Sequence, residues 1–190
     1  RFLLLLCALL ALPVFASAED VLTLSGAALN AAQTIAADDS LIITETITDG
    51  EETYGTVLSH RLNDLRQEVF TLLDEDGTLT QLRPDYGFRL APDSVNPETL
   101  VLMPDVLAEM REALRGQLAL FDDEETYLFV RQPDGTLTAV TSYALDGETL
   151  AETYRISAET HALTDYTAEV TDAGGVLETD TITVLRDGID

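Results

Sequence analysis

The sequence has no tryptophan, one cysteine, two histidines and two methionines, and its ten basic residues are all arginine. Each shortage removes a class of chemistry. Cys7 lies inside an apolar N-terminal run, so the rest of the chain offers no disulfide framework, thiolate nucleophile or cysteine-ligated zinc site. His60 and His161 fit neither an HExxH metal spacing nor a recognisable serine–histidine arrangement, and no GxSxG nucleophile turn or phosphate-cradling glycine loop occurs. Against the ten arginines stand 35 acids, giving a formal net charge of −25 at pH 7. A field of that sign repels phosphate backbones and anionic headgroups, which argues against nucleic acid as a partner. Carboxylate pairs are so numerous that chance supplies them, and they carry no message about acid–base catalysis. "DEDG" at 74–77 resembles the middle of an EF-hand loop, but that register puts Leu72 and Arg83 at ligand positions, where neither can coordinate calcium. No enzyme activity, metal or cofactor is expected. The remaining enzymatic alternative is a hydrolase without a recognisable motif, tested by whether mutation of His60 or His161 abolishes any activity found.

What is present begins with "RFLLLLCALLALPVFASA" at 1–18: one basic residue, an apolar run from Phe2 to Phe15 interrupted by Pro13, then small residues. This is the layout of a secretory signal peptide, with cleavage expected after Ala18. The run is shorter than the roughly 20 apolar residues of a spanning helix. An extracytoplasmic protein, periplasmic or secreted, is therefore expected, with residues 19–190 forming a single domain and a monomer.

From residue 126 onward, extended runs alternate with turn signals. "TYLFVRQ" leads into Pro133-Asp134-Gly135, "TLTAVTSYAL" into Asp146-Gly147, "TLAETYRIS" into Ala158-Glu159-Thr160, and "ALTDYTAEVTD" into Ala173-Gly174-Gly175 before "VLETDTITVL". Thr, Val, Tyr and Ile crowd the runs, and Asp-Gly supplies the positive φ angles of tight hairpins. Leu137, Ala139, Thr141, Tyr143 and Leu145 share one face of the second run; Ala162, Thr164, Tyr166, Ala168 and Val170 share one face of the fourth. That alternation predicts a sheet covered on one side. "VLETDTITVL" mixes polar and apolar residues on both faces and reads as an edge strand. Further strands are expected in "LIITETIT", "TYGTVLSHRL", "RQEVFTLL" and "TLTQL", with "RPDYGFRLAPDS" largely loop.

Two segments have helical spacing and would cover the sheet. Residues 20–37 put Val21, Leu24, Ala28 and Ile35 on one stripe. Residues 104–115 begin with Pro104 at a favoured first-turn position and set Leu107, Met110 and Leu114 opposite Glu109 and Arg111. Gly116 is expected to end or bend that helix.

The stretch "HRLNDLRQEV" at 60–69 concentrates two arginines and a histidine in this cation-poor chain. Together with the order of elements around it, it resembles the LolA-like family of extracytoplasmic lipoprotein carriers and lipid-binding proteins, in which an early strand ends in a "KRPxxxR"-like pattern. Arg61 matches the first arginine and Arg66 the later basic position, while Leu62 stands where the family has proline. "RPDYGFR" at 83–89 is a second partial match. The resemblance implies an α+β fold: a curved antiparallel sheet, an unclosed half-barrel, with helices covering the concave face. It further implies a cavity for a hydrophobic small molecule, lipid or lipoprotein acyl chain, passed between membrane-protein donors and acceptors. On this reading Leu107, Met110, Leu114, Tyr143 and Tyr166 are the candidate lining residues, and Arg61 and Arg66 the candidates for holding the cover. The alternative is an exported, non-enzymatic interaction module of the same fold whose core is filled.

Overall fold

Asp-Gly and Gly-Gly turns punctuate the chain, and the strands between them pair with their sequence neighbours. A computed structural model describes residues 20–35, 39–62, 68–82, 90–92, 100–102 and 104–186. Its elements are β1 (Val21–Ser25), α1 (Gly26–Ala31), β2 (Leu41–Asp49), β3 (Glu52–Leu62), β4 (Glu68–Leu73), β5 (Leu79–Leu82), β6 (Leu90–Pro92), β7 (Leu100–Leu102), α2 (Pro104–Leu118), β8 (Thr126–Arg131), β9 (Leu137–Leu145), β10 (Glu148–Ile156), β11 (Leu163–Asp172) and β12 (Gly175–Arg186). Ten strands form one antiparallel sheet in the order β1-β8-β9-β10-β11-β12-β2-β3-β4-β5, and β6 and β7 pair separately. The sheet does not close, since β1 and β5 lie at opposite edges. Residues 1–18, with the expected leader, and Arg66 lie outside the described residues.

The turns explain the meander. Asp146 and Gly147 join β9 to β10 with φ of 48° and 96°, the left-handed pair that a two-residue hairpin requires. The sheet must also curve. One buried cluster includes Phe70 of β4, Tyr127 and Phe129 of β8, and Leu114 and Leu118 of α2. Eight strands laid flat span about 34 Å, whereas a helix the length of α2 reaches only about 22 Å. The strands therefore wrap around their cover, and the α+β, unclosed curved sheet expected from the sequence is the observed architecture.

Four details depart from expectation. Residues 20–37 are not one helix. Val21–Ser25 pairs along its whole length with β8, and Leu22 and Leu24, at period two, pack against the core. Ser25 is then the N-cap, with φ −76° and ψ 149° and its side chain accepting from Ala28 N–H, so the helix begins only at Gly26. Helical and strand periods coincide at too few positions in so short a segment for spacing to separate them. Second, β12 is central, between β11 and β2, not an edge. Third, the alternation of β11 breaks: Arg155 pairs with Asp165 but Ile156 with Leu163. Thr164 is the extra residue of a bulge, and its Oγ1 donates to the Arg155 carbonyl at 3.1 Å on the exposed side, so it leaves the face expected for it. Gly116, finally, does not stop α2, which runs on to Leu118.

α1 is short, and backbone-like side-chain bonds fasten it. Asn30 Nδ2 donates to the Phe121 carbonyl at 2.7 Å, and its Oδ1 accepts from Phe121 N–H at 3.3 Å. Gln33, fully buried, donates to the Leu29 carbonyl and accepts from Leu163 N–H at 3.1 Å. Gly26 N–H donates to the Glu125 carbonyl at 2.9 Å, in an approach so close that a Cβ at Gly26 would lie 1.6 Å from the Asp122 carbonyl oxygen. Gly26→Ala should therefore force α1 away from the 119–125 segment, at a cost of about 2–3 kcal/mol by analogy with overpacked cores. Urea unfolding of the two proteins measures it; an unchanged midpoint would mean that the contact yields freely.

Candidate functional site

Register fixes what faces the helices. On the inner face, Leu41, Ile43, Glu45 and Ile47 of β2 stand opposite His60, Leu58, Thr56 and Tyr54 of β3. On the other side of β2, Val184, Ile182, Asp180 and Glu178 of β12 complete the same rows. Ile43, Leu41, Ile182 and Val184 are buried. Two carboxylates, Glu45 and Asp180, thus occupy positions on an otherwise apolar surface, diagonally adjacent on neighbouring strands.

Beside them the inner face is not filled. A recess of about 360 Å³ lies between the C-terminal end of α2 and five strands, walled by Ile43, Leu58, Leu72, Leu120 and Ile182 and by Glu45, Thr56, Tyr166, Asp180 and Gln117. Its polar groups are already committed in a specific way. Thr56 Oγ1 donates to Glu45 Oε2 at 3.1 Å, and Tyr166 Oη donates to Glu152 Oε1 at 2.8 Å. Asp180 Oδ1 is buried without a hydrogen-bond partner among the described residues. Burial first, and then the neighbouring Glu45 and Glu178 charges, push the Asp180 carboxyl above its usual range. Burial and the Glu152 carboxylate likewise raise the Tyr166 phenol, keeping it protonated.

The rest of the inner face is packed with rings. Tyr154 is the hub: its ring lies 4.7 Å from Phe121, 5.2 Å from Tyr166 and 5.3 Å from Tyr127, the last edge-on. Leu29, Leu114, Leu118 and Phe129 close around them. Of the residues expected to line a cavity, Tyr166 borders the recess and Leu114 is core. Tyr143 is 42% exposed, its hydroxyl donating to Glu125 Oε2 at 3.2 Å. Leu107 and Met110 belong to α2 by backbone, but their side chains lie outside the described residues. Arg61 is exposed; strand alternation turns it to the face opposite His60. Sequence reading missed Ile43, Glu45, Leu58, Leu72, Leu120, Asp180 and Ile182. Their signal was an acid recurring at the apolar phase of two strands, "LIITETIT" and "VLETDTITVL".

The cation that ties helix to sheet is Arg111. Its Nε and Nη2 both donate to Glu68 Oε1, the Nε at 3.1 Å, and Glu68 is buried on β4. Arg111 stands three residues before Leu114, so it flanks the buried stripe rather than opposing it. The other Glu68 oxygen lies 3.9 Å from Nε2 of the fully buried His60, whose ring stacks at 4.6 Å on Phe70. Burial lowers the His60 pKa, against the opposing pull of Glu68 and of the Asp39 backbone. At the other side Arg186 donates to the Thr34 carbonyl at 3.1 Å, just past α1.

Removing one partner of such a pair strands a buried charge. Arg111→Met should cost about 3 kcal/mol, and adding Glu68→Gln should recover most of it; denaturant midpoints of the three proteins test this. His60 has its own signature. Because its folded pKa lies below the unfolded value, the unfolded chain binds the proton first, and stability should fall as pH drops below about 6.5. His60→Leu should flatten that slope between pH 7 and 5.5, and equal slopes in the two proteins would exclude the assignment.

No family model matches the chain, and no curated protein matches it. A solved structure, "The complex structure of Pseudomonas aeruginosa MucA/MucB", aligns with 85% of this chain and 56% of that chain, at 13% identity and a TM-score of 0.34. The chain thus spans little more than half the length of that neighbour.

Proposed function

We propose that the protein is an extracytoplasmic binder, carrier or sensor of a hydrophobic small molecule, held in the recess between α2 and the inner face of β2, β3, β4, β11 and β12. One observation carries this reading: five aliphatic side chains, Ile43, Leu58, Leu72, Leu120 and Ile182, wall a space of about 360 Å³ that no side chain among the described residues fills. That volume sits at the lower end of the range for small-molecule sites, so it suits a single alkyl chain rather than a bundle of acyl chains. An eight-carbon chain withdrawn from water gains roughly 6 kcal/mol before ordering costs. The location rests on the leader-like residues 1–18.

A second reading has its own support. The Phe121, Tyr127, Tyr154 and Tyr166 rings fill the middle of the inner face, as they would in an interaction module that holds no ligand. Displacement of an apolar fluorescent dye, together with native mass spectrometry of the purified protein, separates the two. A ligand binder should bind the dye with a stoichiometry of one, and Leu120→Trp, which would plug the recess, should weaken it at least tenfold without lowering the melting temperature. Absence of both dye binding and co-purified ligand would leave the interaction module.

A further inference from the structure

The chemistry of the recess is one-sided. The two inward carboxylates, Glu45 and Asp180, can only accept hydrogen bonds when ionised. Thr56 has spent its proton on Glu45 and Tyr166 has spent its own on Glu152, so both hydroxyls present lone pairs. Gln117, exposed near the end of α2, is the one lining side chain among the described residues with a donor to offer. Such a wall leaves acceptors without donors, and Asp180 Oδ1 is the most pressing case, buried and unsatisfied among the described residues. A buried acceptor of this kind costs free energy until a donor arrives, and more when it carries charge.

We infer that the recess selects an amphiphile whose head is a protonated amine, with Asp180 and Glu45 accepting from the ammonium and Ile43, Leu58, Leu72, Leu120 and Ile182 enclosing its alkyl chain. The inference rests on the reading that the recess binds a hydrophobic ligand, and it names the head group. A fatty acid would bring a further negative charge against two carboxylates, the arrangement least favourable at short range. An alcohol could donate one hydrogen bond but would leave the charge unbalanced. Among the described residues no group of three or more His, Cys, Asp or Glu side chains is placed to hold a metal ion, and aliphatic walls suit an organic cation better than a hydrated one. A cation beside Asp180 would also offset the repulsion from Glu45 and Glu178 that adds to burial in raising its carboxyl.

The test compares n-octylamine, n-octanol and n-octanoate by calorimetry at pH 7 and fixed ionic strength. Octylamine should bind at least tenfold more tightly than octanol, with octanoate weakest. Asp180→Asn and Glu45→Gln, each checked by thermal melting, should erase the amine's advantage over octanol. Asp146→Asn, in an exposed turn, removes one charge elsewhere and should change nothing. Octanol binding as tightly as octylamine would overturn the head-group inference and leave a hydrophobic site standing. An amine preference that survives in Asp180→Asn and Glu45→Gln would overturn it too, as attraction to the acidic surface at large. If none of the three ligands binds, the hydrophobic-ligand reading fails, and the inference with it.

Discussion

A ten-stranded sheet has more inner surface than the two helices among the described residues can cover, and this mismatch governs the described fold. α1 and α2 together bury Leu29, Leu114 and Leu118, yet the apolar rows beneath them run across eight strands. Burying apolar area is the main stabilising contribution available to a chain without disulfides. The structure meets the shortage in two ways. Bulky rings, with Tyr154 at their centre, thicken the core that the helices cover. Beyond the end of α2 the surface is left hollow.

The hollow end is also where the electrostatics turn unusual. Most of the 35 acids can face water, where screening makes each one inexpensive, but Glu45 and Asp180 sit in the inner rows beside Ile43 and Ile182. Opposite charges inside the fold are used sparingly: Arg111 neutralises Glu68 at one side of α2, and no comparable pair is found for Asp180 among the described residues. Two carboxylates at an apolar wall with no cation beside them among the described residues weaken the fold. They are hard to explain as packing and easy to explain as a surface prepared for something that donates.

How much of this was legible in the sequence follows from where information is local. Turn chemistry is local, so Asp146-Gly147 and the other glycine turns marked the hairpins correctly, and Thr-rich alternation marked the strands. Strand position within the sheet is not local. "VLETDTITVL" looks like an edge because Glu178 and Asp180 share a face with Ile182 and Val184, and only the pairing with both β11 and β2 shows that the mixed face points inward. The helix expected over residues 20–37 failed for a related reason: Leu22 and Leu24 are drawn into the sheet by β8, more than a hundred residues away. The cations misled in the same manner. "HRLNDLRQEV" attracted attention as a cluster, yet its two best-defined members part company, His60 entering the core and Arg61 facing out. Glu68, one residue before that stretch ends, makes the ion pair, with a partner 43 positions away.

The fastening of α2 bears on how a ligand would enter. A carrier with a swinging cover needs a segment tied at one end and free at the other. Here two ties bracket the part that borders the recess: Arg111 holds the middle of α2 to β4, and Phe121, just past its end, is clasped by Asn30 through a donated and an accepted bond. Gln117 and Leu120, the lining residues from this side, lie between the two ties. Moving them outward would break either a charge-assisted pair on a buried carboxylate or a pair of bonds to the backbone, each far stronger than a contact between exposed side chains. Leu58 and Leu72 wall the recess from β3 and β4, which are joined by a ladder of pairs from Val57–Leu73 to Leu62–Glu68. The described ties therefore make the recess a preformed feature of the fold rather than one that appears only when a cover moves.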